Sequence, residues 1–195
     1  MAQKEEKKTS WEQTVVTYLH DWLYLLIGIF VIFLLLFRVI VVSGDSMYDT
    51  LWDGDYVLLL SNTFYKNPEY GDIVVISKQG FDNGKPIIKR AIATEGQSVD
   101  IDFDAGIVYV DGVALQEDYT YNLTTREEGT QFPLTVEENC IFVLGDNRGV
   151  SQDSRSSEVG QIDKREVLGK AIYLMLPGTN HGLDSRDYSR TGVIS

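Results

Sequence analysis

Three stretches of this chain carry residue types that could do chemistry together. The first is Ser43-Gly44-Asp45-Ser46-Met47-Tyr48-Asp49-Thr50-Leu51, which puts a hydroxyl just past a long apolar run. Serine is a weak nucleophile at its free pKa and needs a base within hydrogen-bond reach. Histidine is the usual base, but His20 lies ahead of the apolar run, on its far side from Ser46, and His181 lies in the polar C-terminal tail. That leaves lysine, which acts as a base near neutral pH only where burial or neighbours lower its pKa from about 10.4. Lys89 is the candidate, because Pro86-Ile87-Ile88-Lys89-Arg90-Ala91-Ile92-Ala93 embeds it in an apolar strand. On strand alternation it shares a face with Ile87, Ala91 and Ala93.

The third stretch is Leu144-Gly145-Asp146-Asn147-Arg148-Gly149-Val150-Ser151-Gln152-Asp153-Ser154-Arg155. Its small hydroxyl and amide side chains and its paired acids and bases suit a hydrogen-bonded loop able to orient a buried amine. As a calcium loop it fails, since Arg148 and Val150 fall where oxygen ligands are required. Each stretch also has a plainer reading when taken alone. Serine among Gly and Asp forms turns, lysine on an edge strand points to solvent, and polar loops are solvated.

These residues must be positioned by the rest of a 195-residue chain that is 44% hydrophobic, enough for one domain with a smaller insert. A net charge of -12 argues against a nucleic-acid partner, because duplex binding rests on neutralising phosphates with Lys and Arg. Cys140 is the only cysteine and there are 2 histidines, which leaves no disulfide framework and little for a metal. No cofactor is expected.

Residues 1–21 read as a polar tail and residues 22–42 as a transmembrane anchor. Trp22 to Phe37 holds no charge, and beyond Arg38 the apolar character continues to Val42. As a helix, about 21 residues would span ~31 Å, close to the ~30 Å of a hydrocarbon core. Arg38 is near enough to the end to snorkel. A cleaved signal peptide would be shorter, and Ile40-Val41-Val42-Ser43-Gly44 is a poor small-x-small cleavage site. Lys4, Lys7 and Lys8 precede the run, whereas after Arg38 no basic residue comes before Lys66, which predicts a cytoplasmic tail and an exported bulk.

Residues 43–177 read as a mainly β domain. Short apolar runs at Tyr56–Leu60, Ile73–Ile76, Ile87–Ala93, Ile107–Val110, Ile141–Leu144 and Ala171–Leu176 are separated by turn signals such as Asp53-Gly54-Asp55, Tyr70-Gly71-Asp72, Asp82-Asn83-Gly84 and Asp111-Gly112. That punctuation predicts an antiparallel sheet, with few helices to supply βαβ crossovers. The more polar stretch 97–138 reads as a smaller β insert without chemistry of its own, and 178–195 as a loose polar tail.

With these stretches in order, the chain resembles the bacterial type I signal peptidases, membrane-bound Ser/Lys proteases. The resemblance runs from the anchor through Ser46-Met47 with Thr50-Leu51, Gly71-Asp72-Ile73-Val74, Lys89-Arg90, and Gly145-Asp146-Asn147-Arg148 with Ser151, Asp153, Ser154 and Arg155. It implies that Ser46 is the nucleophile, Lys89 the general base, and Ser151 the hydroxyl that orients the lysine amine. Asp146 with Arg90, and Asp153 with Arg155, are implied to be ion pairs that hold the loop. The Ser46 N–H is implied to bind the oxyanion. Val42 and Ile88 are implied to line shallow pockets that accept small side chains at an A-x-A cleavage site.

The implied partners are signal-peptide-bearing preproteins and the lipid bilayer. The anchor would keep the site near the bilayer surface, beside the substrate's own apolar segment. Four positions depart from the family pattern: Asp49 stands where proline is usual, Gly44 where some members place a hydroxyl for the oxyanion, and Glu95 and Gln97 where Pro and Asp are common. The rival readings are a non-catalytic assembly factor, which has no need of both Ser46 and Lys89, and a self-cleaving repressor. The latter would need a basic DNA-reading domain where this chain has an apolar run.

Overall fold

The computed structural model describes residues 11–81, 84–179 and 185–194. Lys4, Lys7, Lys8, Asp82, Asn83 and His181, all used in the sequence argument, lie outside the described residues. The chain forms two units, residues 1–36 and 37–195.

Among the described residues the first unit is one helix, α1 (Trp11–Leu36), of 26 residues. Its segment Gln13–Leu36 is long and apolar enough to cross a membrane. The helix is displaced from the span read at residues 22–42: it starts within the polar tail and stops at Leu36. Phe37–Val41 is instead strand β1. The reason is local. Val39, Ile40 and Val41 are β-branched, and their backbone pairs with β2 (Tyr56–Ser61), Val41 opposite Tyr56 and Phe37 opposite Leu60. An unbroken apolar run gives no periodicity by which to see that change.

The second unit is built on antiparallel pairs throughout. Besides β1 and β2, its large sheet uses β3 (Ile73–Ile76), β4 (Ile87–Thr94), β9 (Cys140–Leu144), β10 (Ile162–Asp163) and β11 (Val167–Leu176), in the order β1-β2-β11-β3-β4-β9-β10. Between β4 and β9, which pair with each other, the chain leaves to make a second sheet of β5 (Ser98–Asp102), β6 (Ile107–Val110), β7 (Val113–Ala114) and β8 (Leu134–Thr135). The stretch read as an insert thus departs from one strand and returns as its neighbour.

Strand β3 is buried along its whole length, which is why it reads as a continuous apolar run and not an alternation. Ile73 and Val75 face a core shared with Val42, Met47, Leu51, Val57 and Ile88. Val74 and Ile76 face another, with Ile141, Val143 and Ile162. Ile92, Phe142 and Leu144 join the large sheet to Val99, Val108 and Val110 of the insert.

The polar C-terminal tail is ordered where described, contrary to the loose tail the composition suggests. Strand β12 (Gly192–Val193) pairs with Leu174 and Tyr173 of β11, and Tyr188–Arg190 is a short 3-10 turn capped by Asp187.

Candidate active site

Ser46 lies on the loop from β1 to β2. The loop is closed at its base by Val42 N–H donating to Asp55 O (2.8 Å) and Gly54 N–H donating to Val42 O (2.9 Å). Met47 and Leu51, one turn apart and joined by Leu51 N–H donating to Met47 O, are fully buried. These two side chains pin the turn and leave the intervening polar residues toward the surface. Gly44, at φ +85°, supplies the left-handed bend just before Ser46.

Lys89 extends from β4, whose residues Ile88 to Ala93 are all buried. Only 3% of Lys89 is exposed. Its Nζ donates to Ser46 Oγ at 2.7 Å and to Ile88 O at 3.0 Å. Burial brings its pKa down from 10.5 to about 8, outweighing the opposing pull of Asp153 and Asp146. An amine that loses its proton at mildly alkaline pH, in contact with a hydroxyl, can activate that hydroxyl for nucleophilic attack.

The loop after β9 holds both parts. Arg90 Nε and Nη2 donate to the two oxygens of Asp146 at 2.9 and 2.8 Å, with neither side chain more than 2% exposed. Asp146 also accepts from Thr50 Oγ1 at 2.5 Å, four residues past the serine. Asn147 N–H donates to Ser46 O at 3.0 Å, and Asn147 Nδ2 to Asp45 O at 3.1 Å. The loop therefore grips the backbone of the Ser46 turn itself. Asp153 accepts two bonds from the Arg155 guanidinium, each 2.9 Å, one from Arg155 N–H at 3.3 Å and one from Gly145 N–H at 3.0 Å. Val143 N–H donates to Ser154 Oγ. The buried charges of Arg90 with Asp146 and of Asp153 with Arg155 are paired and hydrogen-bonded, which is what makes their burial tolerable.

Ser151 is the residue the resemblance implies to orient the lysine amine. It is fully buried, yet its Oγ has no hydrogen-bond partner among the described residues, and the amine's bonds go to Ser46 and to the Ile88 carbonyl. Ser151 lies instead against Gly145, where a Cβ would fall 2.2 Å from Ser151 Oγ and 2.5 Å from Ser46 O. Glycine is needed there so that both can approach the loop.

Sequence reasoning missed the insert's share. Arg148, 1% exposed, donates to Glu117 Oε1 and Oε2 at 2.6 and 3.0 Å and to Thr124 Oγ1 at 2.5 Å. The Arg90 guanidinium stands 4.0 Å from the centre of the Tyr119 ring. Glu117 and Thr124 brace the loop, and Tyr119 covers Arg90, all from the connection between β7 and β8; no local signal marks them because their partners are distant in sequence.

Beside the serine and lysine runs a cleft of about 470 Å³, walled by Ile40–Ser43 on one side and Lys85–Ile88 on the other. Val42 and Ile88 both line it. Among the described residues no group of three or more His, Cys, Asp or Glu side chains is placed to hold a metal ion.

The sequence profile described as "Signal peptidase, peptidase S26" matches residues 15–176. A probable signal peptidase I-1 of Synechocystis is 34% identical over 153 residues, 72% of each chain. The signal peptidase I of Bacillus licheniformis is 32% identical over 185 residues, 89% of this chain and 95% of its own. A crystal structure of a signal peptidase I from Enterococcus faecalis aligns with 54% of this chain and 97% of its own, at 32% identity and a TM-score of 0.45. With a profile match across most of its length and relatives this similar, the chain belongs to the signal peptidase family, peptidase S26.

Proposed function

We propose that this protein is a type I signal peptidase, a membrane-anchored serine endopeptidase that removes signal peptides from exported preproteins with Ser46 as nucleophile and Lys89 as general base. The observation that carries the reading is the 2.7 Å contact between Ser46 Oγ and a buried lysine amine.

The neutral amine accepts the Ser46 proton as Oγ attacks the scissile carbonyl. The carbonyl oxygen takes up negative charge, and the Ser46 N–H, which has no hydrogen-bond acceptor among the described residues, is free to donate to it. The Lys89 ammonium then gives its proton to the departing amine, leaving an acyl-Ser46 ester. Water attacks the ester with Lys89 again taking the proton, and the serine is released.

The cleft accounts for substrate choice. Its walls at Ile40–Ser43 and Lys85–Ile88 suit an extended peptide laid between them, and Val42 and Ile88 leave room for small side chains on the acyl side of the bond. Helix α1 serves as the anchor, with the N-terminus cytoplasmic and the β-rich unit extracytoplasmic. Enzyme and substrate, whose signal segment is itself apolar, then share one bilayer. Asp146 with Arg90 and Asp153 with Arg155 position the loop, and Ser151 fills the space beside Gly145.

The reading is tested by incubating the detergent-solubilised protein with an exported precursor and mapping the new amino terminus by mass spectrometry. A single cut after a small-x-small sequence is expected, and an uncut precursor would overturn the reading.

A further inference from the structure

The segment from 185 to 194 lies beyond residue 176, where the family match ends. Its composition gives no reason for order, yet it is tied down along its length. Gly192 and Val193 pair with β11, Ile194 N–H donates to Ile172 O at 3.2 Å, and the Ile194 side chain packs on the core that holds Met47 and Leu51. Arg186 Nη1 donates to Pro177 O at 2.5 Å.

From this segment Arg190 reaches the loop that carries Ser46. Its Nη1 and Nη2 donate to Asp55 Oδ1 and Oδ2 at 3.0 and 2.8 Å, a fork-to-fork pair with a carboxylate that is fully buried. The same carboxylate accepts from Trp52 N–H at 2.8 Å and Gly178 N–H at 2.6 Å. Arg190 Nη2 also donates to Thr50 O at 3.3 Å. The guanidinium lies 3.7 Å from the centre of the Trp52 ring, and that ring stacks on Tyr48, two residues from the serine.

The Ser46 loop is thus suspended between two arginine–carboxylate pairs that meet at Thr50. Arg90–Asp146 takes the threonine hydroxyl, while Arg190 takes its carbonyl and supports Asp55 at the base of the loop. We propose that the C-terminal segment is a strap and that Arg190 is a positioning residue for the reaction, setting the distance from Ser46 to Lys89 without touching substrate. The proposal rests on Ser46 being the nucleophile.

Removing Arg190 leaves Asp55 buried without its cation, so the base of the loop must open to let water reach it. Ser46 then moves off the amine, and Lys89, less shielded, regains its proton more readily. Among the described residues Arg190 bonds to Asp55 and Thr50 and to neither cleft wall; the Ile40–Ser43 wall meets this network only through the backbone bonds of Val42 to Asp55 and Gly54, so the larger effect falls on kcat.

The test uses the full-length protein in detergent, with Arg190→Ala, Arg190→Lys, the exposed control Tyr188→Ala, and Ser46→Ala, assayed against a precursor across pH and normalised to the folded fraction. For Arg190→Ala we expect kcat to fall about tenfold or more, KM to stay within about twofold, and the midpoint of the pH profile to rise. Arg190→Lys, which restores the charge without the fork, should fall between Arg190→Ala and wild type, and Tyr188→Ala should match wild type. Wild-type kcat and midpoint in folded Arg190→Ala, or a loss explained wholly by its folded fraction, would overturn the strap. Activity retained in Ser46→Ala would instead overturn the assignment of the nucleophile, so the two failures are separable.

Discussion

Lys89 Nζ donates to Ser46 Oγ at 2.7 Å from a strand that is buried on both faces, so the one amine in contact with this hydroxyl is also one that water barely reaches. In the proposed mechanism that pairing lets lysine do the work usually given to histidine. The consequences below follow from it and from the loop that maintains it.

Loss of either member should abolish turnover. Ser46→Ala removes the proposed nucleophile and Lys89→Ala the proposed base, while both leave the backbone pairing of the sheet in place, residue 89 staying opposite Val74. Lys89→Arg should be equally inactive, because a guanidinium stays protonated at any workable pH. Precursor cleavage followed by gel electrophoresis, beside circular dichroism to verify folding, checks all three.

Burying the amine also costs stability. Lys89 has a pKa near 8 in the folded protein against 10.5 when free, so the unfolded chain binds the proton more tightly. The penalty is full below about 8, shrinks as pH rises, and is gone above the free value, in keeping with proton linkage. Lys89→Met should therefore melt at a higher temperature than wild type at pH 7, and the gap should close toward pH 10. A gap that stays constant across this range would mean that the amine keeps its proton in the fold.

Gly145→Ala should damage the site without touching a reacting group. The new methyl would fall 2.2 Å from Ser151 Oγ and 2.5 Å from Ser46 O. Overpacking of this kind costs about 1–3 kcal/mol, measurable by urea denaturation. Activity should fall further than stability, by about 100-fold, because the displaced atom is the carbonyl of the serine itself.

Glu117→Ala strands Arg148, which is 1% exposed and takes both carboxylate oxygens of Glu117. Breaking a buried pair by removing one partner costs about 3–5 kcal/mol. Glu117→Gln keeps a hydrogen-bond acceptor there and should lose less. Comparing the two by chemical denaturation separates the pairing from simple packing.

Much of this site is legible in the sequence because its residue types are unusual where they stand. A serine after an apolar run, a lysine inside an apolar strand, and a loop dense in Asp, Arg and Ser each call for explanation, and together they indicate one chemistry. The strand pattern is legible for a similar reason, since turn residues interrupt the apolar runs at short intervals. What was hidden depends on partners far away in the chain. Glu117 gains meaning only from Arg148, and Asp55 from Arg190, 135 residues on. The end of α1 was hidden by uniformity, since Leu36 and Phe37 are equally apolar and only pairing with β2 makes one helix and the other strand. Ser151 could be located on its loop but not oriented, because which acceptor the amine chooses is settled by sub-ångström placement.

The most direct measurement is the pH dependence of single-turnover cleavage of a precursor by the wild-type protein. If the Lys89 amine must be neutral to accept the Ser46 proton, the rate should climb about tenfold per pH unit below the midpoint and level off above about 8, where burial has set the amine's pKa. A rate that is flat from pH 6 to 9, or that falls as the pH rises through 8, would contradict a lysine base.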